Sequence, residues 1–329
     1  MCRSRNRASR FFLIVTFLVL VLLLKGNLAA ETFPSRAVTI VNGWGAGGMS
    51  DTLTRLLSKG AEKELGQPIV CENRTGGGGQ IAINYVCNSK PDGYTLGMTV
   101  TALYIIQPQI RQTTYNPFTD ITDIMTFAQY NNAICVKSDS PWRTIEDVIA
   151  YAKSNPSKFT YGVAGIGMTP HIVMEQFGRE EGIKLTPVPF KSGPEAVNAT
   201  LGGHTDAVVM GTGDLIPQIQ AGKLRNLLII SGERWPETPD VPTILEKGHD
   251  FYMLSYMGIY GPKGIPEPIR AKLELALKNG MEEPAFKQML KKYYIREAYL
   301  SGKEYSKKWK EMYEPMGKVL KALGLVEKK

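Results

Sequence analysis

From residue 37 onward the chain alternates between short apolar runs and longer stretches in which apolar positions recur every three or four residues. The run AVTIVNG at 37–43 reads as a strand. Residues 49–65 read as a helix with Leu53, Leu56 and Leu57 on one face. PIVCEN at 68–73 is a second strand, followed by the glycine run Gly76 to Gly79 and a helix to about Lys90. Pro91-Asp92-Gly93 marks a turn into the strand TLGMTV. The alternation continues through NAICVKS and TIEDVIAYAKS, FTYGVAG and TPHIVMEQFGRE, KLTPVPF and GPEAVNATLGG, TDAVVM and DLIPQIQAG, then LRNLLIIS. YMGIYG predicts a last strand, with helices at Pro266 to Asn279, Glu283 to Lys292 and Ser301 to Leu323. Strands joined by helical crossovers run parallel, so the pattern predicts an α/β fold wound on parallel sheets.

The first thirty residues follow a different pattern. A basic start precedes an apolar stretch from Phe11 to Leu24, interrupted only by Thr16, and the small residues Ala29 and Ala30 follow. This is the anatomy of an export signal, with cleavage expected after Ala30. The apolar stretch spans about 21 Å as a helix, short of a bilayer core of about 30 Å, although retention as an anchor is the competing reading. Export would place the mature protein in a periplasm.

Composition narrows the class. With 329 residues, 43% hydrophobic and 21% charged, the chain is neither disordered nor collagen-like, and it is not a multi-span membrane protein. The formal charge of +8 shrinks once the signal is set aside. Residues 1–30 hold Arg3, Arg5, Arg7, Arg10 and Lys25 and no acid, which leaves 34 basic against 31 acidic residues, or +3. That gives little support to a nucleic-acid partner. Cys71, Cys87 and Cys135 remain after cleavage. Export permits a Cys71–Cys87 disulfide, and the alternative is three buried thiols.

Two glycine-rich segments stand where a strand ends and a helix begins. They are Gly43-Trp44-Gly45-Ala46-Gly47-Gly48-Met49-Ser50-Asp51 and Gly162-Val163-Ala164-Gly165-Ile166-Gly167-Met168-Thr169-Pro170-His171. Ligands of open α/β sheets sit at the carboxyl ends of strands, where helix N-termini present free N–H groups and partial positive charge. Small residues let a backbone approach a ligand closely, so both segments read as anion cradles. Neither matches a phosphate loop, and Ser50 stands where a dinucleotide fingerprint needs its third glycine.

These segments carry a resemblance. TFPSRAVTIVNGWGAGGMSDTLTRLL, QPIVCENRTGGGGQIAINYV, KPDGYTL, YGVAGIGMTPHIVMEQF, PFKSGPEAVNATLGGHTDAVV and YGPKGIPEPIRAKL occur in the order seen in solute-binding receptors of tripartite tricarboxylate transporters, the Bug family. The resemblance implies a two-lobed α/β periplasmic binding protein of type II, a Venus flytrap with its ligand cleft between lobes. It implies a first lobe at 31–131 plus 253–329 and a second at 132–252. The implied ligand is a small organic carboxylate, passed by a monomeric receptor to a membrane permease.

The same resemblance places the ligand loops at Trp44, Gly45, Ala46, Gly47, Gly48, Met49, Ser50 and Asp51, and at Gly165, Ile166, Gly167, Met168, Thr169 and His171. Lys191, Ser192 and Gly193 match a third segment, and Asp206 and Gly211 lie where a late strand approaches the cleft. Lys191 either supplies charge to a second carboxylate or is a surface lysine. Asp51 caps the helix, orders a cleft water or meets a substrate amine. Gly43 replaces the family's usual proline, and Trp44, Met49 and Met168 suit a ligand with an apolar or aromatic body as well as they suit core packing.

No cofactor, metal or catalytic set is expected. His171 and Glu175 have the spacing of a metal pair, but His204 and His249 complete no ligand motif. Ser50 and Asp51 have no partner base in sequence. A sensing receptor docking on a membrane kinase is the alternative function, and an enzyme acting on a carboxylate is a third. The lysines of the last helix (Lys303, Lys307, Lys308, Lys310) alternate with Glu304, Glu311 and Glu314, as on a solvated face.

Overall fold

The computed structural model describes residues 33–326. The predicted signal segment and its cleavage site lie outside the described residues. Residues 33–36 include a cis Phe33–Pro34 bond, and Ala37 begins the compact unit that contains every element below.

Strands β1 (Val38–Asn42), β2 (Ile69–Asn73), β3 (Thr95–Val100), β4 (Ile121–Tyr130), β10 (Ser255–Pro262) and β11 (Arg296–Ser301) form a six-stranded sheet in the order β11-β4-β10-β3-β1-β2. A second sheet of five strands joins β5 (Asn132–Lys137), β6 (Thr160–Val163), β7 (Thr186–Pro189), β8 (Ala207–Gly211) and β9 (Leu224–Ile230) in the order β7-β6-β8-β5-β9. Helices pack on both. They are α1 (Met49–Leu65), α2 (Gln80–Cys87), α3 (Thr101–Ile105), α4 (Gln107–Ile110), α5 (Ile145–Ser154), α6 (Thr169–Glu181), α7 (Gly193–Leu201), α8 (Thr212–Gln220), α9 (Glu267–Gly280), α10 (Pro284–Lys292) and α11 (Gly302–Ala322).

Local chemistry explains these boundaries. Leu53, Leu57 and Ala61 recur at helical spacing on α1 and are fully buried, and Gly66 in the left-handed region ends the helix. α11 buries Tyr305, Trp309, Met316 and Leu320 on one face and turns its lysines away from it. α5 and α11 close their own N-termini with capping boxes, Thr144 with Asp147 and Ser301 with Glu304.

The sheets are mixed, which corrects the expectation of parallel sheets. β1 runs parallel to β2 and β3, and β6 to β7 and β8. β10 runs antiparallel to β3 and β4, β11 to β4, and β5 to β8 and β9. The reason is connectivity. β4 passes into β5 with only Asn131 between them, and β10 returns from the other sheet after β9 without a helix, so the antiparallel pairings arise where the chain changes sheets and not within a helical crossover. β4 and β11 were also absent from the strands read off the pattern.

The cysteines Cys71, Cys87 and Cys135 are free thiols, so Cys71 and Cys87 are not joined. Cys71 Sγ lies 3.3 Å from Ser58 Oγ instead.

Candidate functional site

Four strand-to-helix turns meet at one place. β1 leads to α1, β6 to α6, β7 to α7 and β8 to α8, and residues from the start of every one of these helices line a single cavity of about 50 Å³. The parallel alignment of β6, β7 and β8 puts three of the helix starts along one sheet edge, facing the start of α1 from the other sheet. Each helix N-terminus carries roughly half a positive charge and N–H groups without intrahelical acceptors. The N-cap residues of α1, α6 and α8, which are Gly48, Met168 and Gly211, provide no side-chain cap, and the first N–H of α1 is taken instead by Asp214. Only α7 is capped by its own N-cap residue, with Ser192 Oγ accepting from Glu195 N–H at 3.3 Å.

The two glycine loops are held by the same device. Asp51 Oδ2 accepts the Gly47 N–H at 3.0 Å, and His171 Nδ1 accepts the Gly167 N–H at 3.3 Å, each four residues along the chain. Asp51 also receives Arg55 Nε and Asn73 Nδ2 at 3.0 and 2.9 Å. Burial pushes this carboxyl up, but the Arg55, Gly47 and Asn73 hydrogen bonds together outweigh it and hold it below the usual carboxylate range. Burial, with the Arg111 charge second, lowers His171 to about 4, so the ring is neutral at pH 7 and Nδ1 is free to accept. Gly47 and Gly167 have φ of +80° and +76°, a conformation that L side chains rarely adopt.

Closure brings backbones from the two sheets into contact. Gly45 N–H donates to the Lys191 carbonyl at 3.4 Å, and a Cβ on Gly45 would lie 2.9 Å from Ser192 Cβ. Gly165, with φ +116°, packs against Gly78, while Gln107 Nε2 and Arg111 Nη2 both donate to the Ile166 carbonyl at 2.9 Å. The cavity between these seams is walled by Trp44, Val100, Pro170 and four methionines, Met49, Met168, Met210 and Met257.

Its polar groups are few. Asp214 is the single ionised side chain in the lining, and its Oδ1 accepts the Met49 N–H at 3.2 Å. Burial pushes its carboxyl up to about 6, opposed by that one N–H. Asn132 is fully buried and lines the same cavity, and neither its amide nitrogen nor its amide oxygen has a partner among the described residues. Tyr130 stands beside them, pushed up to about 12 chiefly by burial, with the Asp214 charge contributing.

Of the residues expected at the site, Trp44, Gly45, Gly48, Met49, Ser50, Met168 and Ser192 line this cavity. Ala46 and Gly47 face outward, and Gly47, Asp51, Gly167 and His171 shape the loops behind it. Thr169 is buried at the first position of α6. Gly165, Ile166 and Lys191 line a separate open groove of about 460 Å³ with Gly76 to Gly79 and Arg111. Lys191 therefore does not reach the cavity, which has no lysine or arginine in its lining. Asp206 is a correction. It lies at the amino end of β8, where its Oδ2 accepts the Thr160 N–H at 2.7 Å and the Thr160 hydroxyl at 2.9 Å. The strand that follows carries the chain about 16 Å away to Gly211, which does line the cavity. Asp214, Asn132, Tyr130, Met210 and Met257 were not anticipated; the one local signal was an acid in the first turn of a predicted helix after a strand.

Two lobes built on separate sheets, with helix starts from both converging on one cavity, define a periplasmic binding protein. The chain belongs to the family of tripartite tricarboxylate transporter receptors, whose sequence profile matches residues 53–325. It is 34% identical over 298 residues to the "UPF0065 protein in gbd 5'region" of Cupriavidus necator, covering 91% of this chain and 90% of that one. The periplasmic binding protein BugD superposes with a TM-score of 0.85 at 28% identity, covering 90% of this chain and all of that one. Rpa4515 of R. palustris, solved with adipate, superposes at 0.84 with 27% identity, covering 89% and 99%.

Proposed function

We propose that the protein is an exported, monomeric receptor that captures a small organic carboxylate in the cavity between its sheets and presents it to the permease of a tripartite transporter. Cleavage after Ala30 would release it into the periplasm, with lobes at 31–131 plus 253–329 and at 132–252. The observation that carries this reading is the convergence of four helix N-termini, three of them without a cap from the N-cap residue, on a cavity with no cationic side chain in its lining. Such a site holds an anion by oriented N–H groups and dipoles alone. The adipate in Rpa4515 is in keeping with it.

At about 50 Å³ the cavity has room for a few waters and is small for an organic acid. Admission of ligand therefore requires the lobes to part, the methionine side chains to swing, or both. The receptor returns its acid chemically unchanged.

A thermal-shift screen of residues 31–329 against mono-, di- and tricarboxylates, aromatic acids and amino acids tests this. A cleft ligand at 100 times its Kd stabilises by about 2.7 kcal/mol, which is roughly 4 °C for a chain of this length. The expected result is such a shift with at least one acid, recovered intact by mass spectrometry. A shift with a neutral sugar or a metal ion and with no acid would overturn the reading.

A further inference from the structure

A carboxylate in the wall of an anion site needs an explanation. Asp214 sits in the first turn of α8, and its Oδ1 takes the Met49 N–H at the start of α1. It competes there for a donor that an incoming carboxylate would use. The contact is close on its other side as well, since a Cβ on Gly193 would overlap the Asp214 carboxylate. Asp214 is thus wedged between the starts of α1, α7 and α8, in the lining of the cavity.

Beside it, Asn132 lines the cavity and has a buried amide oxygen and nitrogen with no protein partner among the described residues. A polar group fully buried without a partner is unfavourable unless something in the occupied state satisfies it. Asp214 and Asn132 together bring two kinds of acceptor oxygen to the lining of one cavity. An ammonium group has three N–H donors and one positive charge.

We propose that Asp214 and Asn132 form a subsite for a protonated amine, so that the preferred ligand is an amino acid with an apolar body and a second carboxylate is rejected. This deepens the carboxylate reading and rests on it. The ligand's carboxylate takes the helix N–H groups, its ammonium neutralises Asp214, and the four methionines with Val100 and Pro170 enclose the rest. A zwitterion brings no net charge into a cavity whose only ionised side chain is an acid, whereas a dicarboxylate would add two negative charges beside it. Asp214 lies below pH 7 in its titration, so at neutral pH it is an acceptor ready for the amine.

The test is calorimetric titration of residues 31–329 at pH 7.5 with acids matched by body: hexanoate, 2-aminohexanoate, 6-aminohexanoate and adipate, then 3-phenylpropanoate, phenylalanine and phenylsuccinate. At least one amino acid should bind about tenfold or more tighter than both the plain acid and the diacid of the same body. Asp214→Asn, which keeps an acceptor for the Met49 N–H, should erase that preference. Asn132→Ala should reduce it. A diacid that binds as tightly as the amino acids overturns the proposal, as does an unchanged preference in Asp214→Asn, and in both cases the carboxylate reading stands. Failure of every acid to bind would sink both. If Asp214→Asn does not fold, the wild-type ranking and Asp214→Ser decide.

Discussion

Asp51 and His171 perform one task in two chemical forms. Each accepts the N–H of the glycine four residues before it, and each thereby fixes a loop that a left-handed glycine makes possible. Arg55 and Asn73 keep the first of these acceptors ionised, and burial keeps the second neutral. Asp214 differs because a single N–H opposes its burial. Its carboxyl is raised from the ordinary 3.8 to about 6, so the folded state favours the protonated form. A raised acid leaves stability intact below the unfolded-state value and removes it as pH climbs through the folded one. Two units correspond to about 3 kcal/mol, or roughly 5 °C for this chain. Asp214→Asn should therefore melt close to wild type at pH 4 and several degrees above it at pH 8, without ligand. Asp51, depressed instead of raised, is present in both proteins and cancels. A melting difference that is flat from pH 4 to pH 8 would contradict the assignment.

The helix starts are where sequence and site meet most directly. α5 and α11 satisfy their own first N–H groups with Thr144 and Ser301, whereas α1, α6 and α8 begin after Gly48, Met168 and Gly211, which offer no side-chain cap, and only the Met49 N–H of α1 is taken by Asp214. Proline is tolerated at the first helical position, and Gly48, at φ −74° and ψ 169°, already has the backbone that precedes a proline. Met49→Pro thus removes the N–H that Asp214 holds and that an incoming carboxylate would take over, with little expense to the α1 backbone. Compared with Met49→Ala, which controls for the lost side chain, it should lower acid affinity about tenfold or more while melting within a few degrees. Equal affinities in the two variants would show that this N–H holds no ligand. Both glycine loops were legible because glycine runs, helix starts and strand ends all leave marks along the chain. Asn132, Tyr130, Met210 and Met257 were not legible. They are ordinary strand residues until the packing of two sheets brings them to one wall. Asp206 misled for a related reason, since it adjoins the correct strand at the wrong end.

In the whole molecule, the two sheets are separated in function by what lies between them. The single residue Asn131 joins β4 to β5, and the chain returns between β9 and β10, so the cavity sits where two independently wound sheets meet. The alternation of strands and helices disclosed the α/β class, but not the direction of β4, β5, β10 and β11, which follows from these crossings instead of from any local period. Net charge is a poor guide to the ligand. Residues 31–329 carry only +3, and the cavity lining holds one acid and no base. In the proposed reading, anion capture rests on the four helix starts that line one cavity. The most direct test is a paired titration of residues 31–329 with the best acid from the screen and with its methyl ester, which keeps the shape and loses the charge. The account predicts that the ester binds about 100-fold more weakly or worse. An ester that binds within about threefold of the acid would contradict it.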